Sequence, residues 1–181
     1  MKHKVGLYIG RFQPFHKGHA LIVKEALRHC DTLVIAIGSS QEFDTKKNPF
    51  SYKMRKEIIR TSLIGLNSRV KIIGIEDRKE KKDDAAWGEH LLSEVERQTG
   101  LVPSINFEGY ETARTTWFEG IDIERQVISR DEVPVSATMV REAILKNDYK
   151  NFITMVPTNV ILWFDRMREK LLEVEENECK N

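Results

Sequence analysis

Through the first half of the chain, short apolar runs alternate with stretches whose apolar residues recur at helical spacing. Residues 5–9 (VGLYI) form a continuous run stopped by Gly10, the pattern of a buried strand. Residues 18–29 then carry Leu21, Ile22, Ala26 and Leu27 at helical intervals. A second run, 32–37 (TLVIAI), is closed by Gly38-Ser39-Ser40. Residues 51–66 place Met54, Ile58, Ile59 and Leu63 on one face, with Pro49 ahead and Ser51 as the predicted N-cap. Residues 70–75 (VKIIGI) complete a strand–helix–strand–helix–strand series, which predicts a parallel sheet covered by helices on both faces.

The second half continues less regularly. A helix is predicted over 85–99, ending at Gly100. A strand over 103–107 stopped by Gly109, a short helix over 112–119 and a strand over 121–128 follow. An amphipathic helix spans 136–146 and a short one 151–155. Pro157 then opens a long final helix to about residue 174, with a fraying acidic tail. The run 76–84 (EDRKEKKDD) reads as an exposed loop. The expectation is one domain over 1–181, with an α/β core at 1–146 and C-terminal helices at 147–181. The final helix has an apolar face (Val160, Ile161, Phe164, Met167, Leu171) that packs either on its own sheet or on a neighbouring copy in a homo-oligomer.

Composition narrows the function class. The chain has 29 Lys plus Arg against 28 Asp plus Glu, a net +1, so it has no sequence-wide basic footprint for nucleic acid. A hydrophobic share of 40% is enough for a filled core and argues against disorder. Cys30 and Cys179 are far apart and form no CxxC or Cys/His set, which disfavours a disulfide scaffold or a cysteine zinc site. No apolar run approaches the ~18 residues of a membrane span, and no secretory pattern is read at the start. A soluble, cytoplasmic protein that binds neither nucleic acid nor membrane is expected.

The most informative stretch is Gly10-Arg11-Phe12-Gln13-Pro14-Phe15-His16-Lys17-Gly18-His19, between the first strand and the first helix. Ligands of open parallel sheets bind at this carboxyl edge. A helix beginning near residue 17 or 18 aims its free N–H groups and positive dipole end into the same crevice. Gly10 and Gly18 let backbone approach a ligand, and His16 and His19 flank the helix start, where both rings reach one anion. Their spacing matches no zinc pair. Phosphate binding is the expectation.

The HxGH at this junction resembles the signature of the nucleotidylyltransferase superfamily, whose members share a Rossmann-like fold. The longer GRFQPFHKGH, followed by GSSQ and TKKNPFSYKMR, is similar to nicotinamide-nucleotide adenylyltransferases of the archaeal type. The superfamily's second motif, Ser-x-Thr-x-x-Arg at a late helix start, is present as Ser136-Ala137-Thr138-Met139-Val140-Arg141. The resemblance runs from about residue 4 to 146. It implies transfer of the adenylyl group of ATP to nicotinamide mononucleotide, giving NAD and pyrophosphate, with Mg²⁺ or another divalent cation accompanying ATP. Such chemistry asks a protein to neutralise and align two polyanions, so no nucleophile triad is needed.

The resemblance also assigns residues. His16, His19 and Arg141 are the expected catalytic groups. Gly10, Arg11, Phe12, Gly18, Lys47, Arg55, Ser136, Thr138 and Arg141 are the expected ATP contacts, and Trp87, Ser39 and Asn48 the mononucleotide contacts. No protein ligand for the metal is assigned. Two readings stay open at several positions. Ser136 and Thr138 either cap a helix or touch phosphate; Lys46 and Lys47 are either a second basic tier or a solvated loop; Trp87 either stacks on the pyridinium ring or closes the core. Trp117 and Trp163 read as packing residues, and Phe43 and Phe50 as either pocket wall or core. The chain departs from the family pattern in the charged run after residue 75. It departs again where Phe107-Glu108-Gly109-Tyr110-Glu111 replaces a Thr-Gly-Asn type turn near the adenine and ribose. Two rival functions remain: a related adenylyl- or cytidylyltransferase with another phosphate acceptor, and a non-catalytic nucleotide-binding module.

Overall fold

The computed structural model describes residues 4–77, 84–109 and 116–180. Five strands are described: β1 (Val5–Gly10), β2 (Thr32–Ile37), β3 (Val70–Gly74), β4 (Ile105–Gly109) and β5 (Glu124–Ile128). Six α-helices accompany them: α1 (Lys17–His29), α2 (Tyr52–Ser62), α3 (Asp84–Thr99), α4 (Ala137–Leu145), α5 (Tyr149–Met155) and α6 (Phe164–Cys179). All pairings are parallel, in the order β3-β2-β1-β4-β5. The order reverses between β1 and β4, the switch point at which a crevice opens beyond the carboxyl ends of the strands. This is the parallel sheet covered on both faces that the strand–helix alternation predicts, and the Rossmann-like fold that the HxGH resemblance implies.

Period-two alternation along the buried strands sorts their side chains into two cores. On one face Tyr8, Leu33, Ile35, Ile37, Ile105 and Phe107 pack with α1, α2, α4, α5 and α6. On the other, Val5, Leu7, Val34, Ala36 and Ile73 meet Leu91 and Val95 of α3 and the segment carrying Trp117, Phe118, Ile121 and Ile123. Helices therefore cover both faces, unequally. Cys30 is buried as a small apolar residue and Cys179 is exposed. No helix among the described residues is long and apolar enough to cross a membrane.

Helix starts follow the cap chemistry read from sequence. The Ser51 hydroxyl accepts from Met54 N–H at 3.3 Å and opens α2, and Ser136 accepts from Met139 N–H at 3.2 Å and opens α4. Asp148 does the same for α5, accepting from Asn151 N–H at 3.1 Å.

The second half departs from expectation in three places. Residues 112–115 of the expected short helix lie outside the described residues, and 116–119 form turns. The strand expected from 121 begins at Glu124, because Ile121 and Ile123 are drawn into the α3-side core and Ile123 N–H bonds locally to the Ile121 carbonyl. The final helix is broken: Thr158–Trp163 is a 3-10 segment, and the α-helix starts at Phe164 and runs to Cys179. Its last turn holds despite acidic residues that oppose the helix dipole, and there Glu178 accepts from Lys46 N–H at 3.3 Å. Val160, Phe164, Met167 and Leu171 are buried in the chain's own core, which settles that face in favour of self-packing.

Candidate active site

A cavity of about 570 Å³ opens at the β1–β4 switch point. The turn after β1, the opening of α1 and the opening of α4 all contribute to its wall: Gly10, Arg11, Phe12, His16, His19, Ser136, Thr138 and Arg141 line it, with Ser39, Lys47 and Trp87. Eleven of the fourteen residues expected at the site thus meet in one cavity. Gly18, Asn48 and Arg55 lie outside its lining.

The turn is fixed by its own polar groups. Buried Gln13 donates from Nε2 to the Phe50 carbonyl at 3.0 Å and accepts from Phe50 N–H at 2.9 Å. Its carbonyl receives Arg141 Nη1 at 2.6 Å, which ties the α4 opening to the turn before α1. A second Arg141 nitrogen reaches the Thr138 hydroxyl at 3.3 Å. Desolvation, with Arg11 nearby, lowers the Arg141 pKa, and it remains a cation at neutral pH. Phe50 is fully buried beneath the turn and Phe43 is exposed, and neither is among the residues that line the cavity.

The two histidines stack with ring centroids 3.7 Å apart. His19 Nδ1 accepts from His16 N–H at 3.3 Å, which satisfies an otherwise free donor at the α1 start and leaves the neutral ring's proton on Nε2. Phe12 and Phe15 hold the His19 ring at centroid distances of 4.9 and 5.5 Å. Burial, aided by the positive charge of Arg130, lowers the His16 pKa to about 3. Burial, then His16 and Arg130, holds His19 well below the usual histidine range. Both rings are neutral hydrogen-bonding groups at pH 7, and His16 Nδ1 has no hydrogen-bond partner. Gly18 serves from behind: a Cβ there would lie 3.1 Å from the His16 ring and 3.2 Å from Arg130 Nη1, so glycine permits the close approach.

Arg55 departs most from expectation. Its side chain is fully buried, and Nη1 donates to the Arg11 and Gly38 carbonyls at 3.0 and 2.9 Å. Nη2 donates to the Ser39 carbonyl at 2.9 Å. Desolvation, then repulsion from Arg11, lowers its pKa to about 10, so it stays charged while clamping the chain ends that leave β1 and β2. Its forked donors are spent on main chain rather than aimed into the cavity. Asn48 is likewise buried within its loop, where its N–H donates to Thr45 Oγ1 at 3.0 Å.

Several cleft residues escaped the sequence reading. Arg130 follows the carboxyl end of β5, a position that the ligand edge of a parallel sheet could have flagged. Trp117, read as a packing residue, lines the cavity beside Trp87 with ring centroids 4.3 Å apart. Gly88 makes that pairing feasible, since a Cβ there would collide with the Trp117 carbonyl. Asn106 and Glu108, from β4, also line the cavity. Among the described residues no group of three or more His, Cys, Asp or Glu is placed to hold a metal ion.

A parallel sheet reversing at its switch point, with two helix openings and paired histidines on one cleft, defines an open α/β protein whose cleft is suited to a phosphate-bearing ligand. More specifically, the chain belongs to the cytidylyltransferase-like family, whose model matches residues 7–143. It is 51% identical over 75 residues to a nicotinamide-nucleotide adenylyltransferase of Saccharolobus solfataricus, covering 40% of this chain and 44% of that one. It is 30% identical over 148 residues to the enzyme of that name from Thermococcus onnurineus, covering 80% and 74%. Most curated relatives are matched over about half their length. Among solved structures it is similar to a bifunctional NMN adenylyltransferase/ADP ribose pyrophosphatase from Francisella tularensis, complexed with AMP and a manganese ion. The TM-score is 0.70 and the identity 25%, over 97% of this chain and 53% of that one.

Proposed function

We propose that the protein transfers the adenylyl group of ATP to nicotinamide mononucleotide, forming NAD and pyrophosphate. The observation that carries this reading is the convergence of the His16–His19 pair and the Ser136–Arg141 helix opening on one cavity, in a chain whose relatives bear that activity's name. The mononucleotide phosphate oxygen attacks the ATP α-phosphorus, a new P–O bond forms, and the bond to the bridging oxygen breaks with its electrons leaving on pyrophosphate. No proton need be abstracted from the attacking phosphate. The residues' task is to hold two polyanions together, against a repulsion of about 1 kcal/mol per charge pair at ~4 Å even in water.

Arg11, Lys47, Arg130 and Arg141 supply fixed positive charge along the cleft. The neutral histidines add N–H donors whose value is geometric, directed at charge that develops on the α-phosphate and leaving group. Ser136 caps α4, and a hydroxyl can cap and contact phosphate together. Trp87 and Trp117 offer aromatic surface for the pyridinium ring. A divalent cation would arrive with the triphosphate as part of the substrate, which suits a cleft whose described residues form no metal-holding carboxylate cluster. Mg²⁺ is the ion of this proposal.

The test is turnover. The protein mixed with ATP, Mg²⁺ and nicotinamide mononucleotide should release pyrophosphate and NAD in equal amounts. Product formed only with CTP, or only with a phosphopantetheine acceptor, would move the assignment to another member of the family. Binding of nucleotide without any product would make it a non-catalytic module.

A further inference from the structure

The strand register divides the cleft into two chambers. Leu7 of β1 pairs with Asn106 of β4, and Asn106 with Arg125 of β5, so these side chains share one face of the sheet. Leu7 belongs to the core that Trp87 and Trp117 pack against, whereas its neighbour Tyr8 belongs to the core beneath His19. Glu108, two residues on from Asn106, returns to the Asn106 face. The histidines and the α1 and α4 openings thus stand on one side of the sheet edge. The tryptophan pair, Asn106 and Glu108 stand on the other.

The polar group in the tryptophan chamber is built with care. Glu108 is buried, and its Oε1 receives Arg125 Nε and Nη2 at 3.0 and 2.8 Å and Asn106 Nδ2 at 2.9 Å. A carboxylate oxygen can only accept, so this contact fixes which end of the Asn106 amide is nitrogen and which is oxygen. The amide oxygen, Oδ1, is then left buried without a hydrogen-bond partner, on a side chain that is 0% exposed and whose residue lines the cavity. An unpartnered buried acceptor is destabilising, and such a group persists where a ligand supplies the donor.

We infer that Asn106 Oδ1, held in orientation by Glu108 and Arg125, is the acceptor for the carboxamide N–H of the mononucleotide and selects the amide over the acid form of its base. This rests on the adenylyl-transfer reading and deepens it. A nicotinamide carries an NH₂ that can donate to Oδ1. A nicotinate carries a carboxylate, which offers no donor at neutral pH. It would place an anionic oxygen against an amide oxygen beside a buried carboxylate. Sites built to bond a substrate N–H reject analogues that lack it more strongly than apolar pockets reject a change of size.

The experiment compares kcat/KM for nicotinamide and nicotinate mononucleotides in the wild-type protein, Asn106→Leu and Glu108→Gln, with a thermal melt of each. The wild type should prefer the amide by at least tenfold. Asn106→Leu keeps much of the volume but removes the acceptor. It should lose at least tenfold on the amide, much less on the acid, and leave KM for ATP within twofold. Glu108→Gln relieves the negative charge and frees the Asn106 amide to turn, so it should raise relative use of the acid. Equal use of both mononucleotides by the wild type, or equal losses on both in well-folded Asn106→Leu, overturns the selection while adenylyl transfer stands. If Asn106→Leu fails to fold, Glu108→Gln decides, and an unchanged amide-to-acid ratio in it overturns the inference. No dinucleotide from either mononucleotide overturns adenylyl transfer itself.

Discussion

Arg55 separates two physical roles that a sequence motif cannot tell apart. As a phosphate ligand, its loss would raise KM for ATP and leave the fold intact. As the clamp described above, its loss removes charge-assisted hydrogen bonds at 2.9–3.0 Å to the carbonyls of residues 11, 38 and 39. Hydrogen bonds to charged groups contribute roughly 1.5–3 kcal/mol each, and a buried carbonyl left unpaired costs about 1–3. Bonds from one guanidinium do not add fully, and the buried cation's own desolvation is recovered when it goes. A net loss of about 3–5 kcal/mol for Arg55→Ala is the resulting expectation. At roughly 2–4 °C per kcal/mol for a domain of this size, Tm should fall by about 6–20 °C in a calorimetric or dichroism melt. Arg55→Lys should recover only a minor part, because a single ammonium cannot span carbonyls from two chain segments. In steady-state assays well below the mutant Tm, the KM values for both substrates should rise together, since the clamp sets both the turn after β1 and the loop after β2. A well-folded Arg55→Ala with Tm within 2 °C of wild type and a tenfold rise in KM for ATP alone would refute the clamp and restore the phosphate ligand.

Three further outcomes are expected. His16 is neutral in the fold with its pKa lowered to about 3, while the unfolded chain takes up a proton near 6.5; the unfolded state therefore binds more protons below pH 6.5, and stability is lost as pH falls. Between pH 6.5 and 5 this ring alone should remove roughly 1.5–2 kcal/mol, His19 adds in the same sense, and denaturant titrations of His16→Asn should show a shallower acid slope than wild type. Trp87→Ala removes one ring of the pair and should raise KM for the mononucleotide about 3- to 30-fold, with less than twofold on ATP; the reverse pattern would place the base elsewhere. Lys170 bridges α6 to Asp44 at 2.8 Å, in the loop that carries Lys47 into the cleft; this half-exposed ion pair is worth little to the fold, so Lys170→Ala should leave Tm within 2 °C and raise KM for ATP roughly two- to fivefold in a salt-sensitive way.

What was readable in the chain was whatever is encoded locally. The decapeptide from Gly10 to His19 holds its own turn, its own helix start and both histidines within ten positions, so its placement at the cleft is legible in one dimension. The same holds for Ser136, whose capping bond spans three residues. Arg55 fails that condition. Its partners are carbonyls of residues 11, 38 and 39, whose meeting exists only after β1 and β2 pair in register. Asn106 and Arg125 carry no local mark either, since their shared face follows from the β4–β5 pairing. Trp117 was obscured by the expectation of a helix around it, and the clue lay elsewhere, in a glycine at position 88 inside a helical pattern. The final helix shows the limit of periodicity: the 3-10 stretch from Thr158 to Trp163 buries Val160 and leaves Leu162 86% exposed, and that pattern reads as α-helix until the hydrogen bonds are seen.

The net charge of +1 is the most easily misread of these signals. It argues against a long polyanionic partner, which samples a surface many Debye lengths across. It says nothing about a triphosphate, which samples one cleft. That cleft is lined by four cationic side chains, Arg11, Lys47, Arg130 and Arg141, against two anionic ones, Asp77 and Glu108, and Glu108 is paired with Arg125 outside the lining. The positive excess is therefore local and concentrated where two helix dipoles add to it. Burial keeps His16 and His19 neutral, and the same concentration of charge adds to it: two further positive charges stacked at 3.7 Å beside Arg130 would repel one another. An arriving polyanion should offset the Arg130 charge and so raise both pKa values. Nucleotide binding below pH 6.5 should then draw protons from solution, measured as a dependence of calorimetric binding heat on buffer ionisation enthalpy. Binding heats independent of the buffer at pH 6 would mean that the rings stay neutral throughout and act through hydrogen bonding alone.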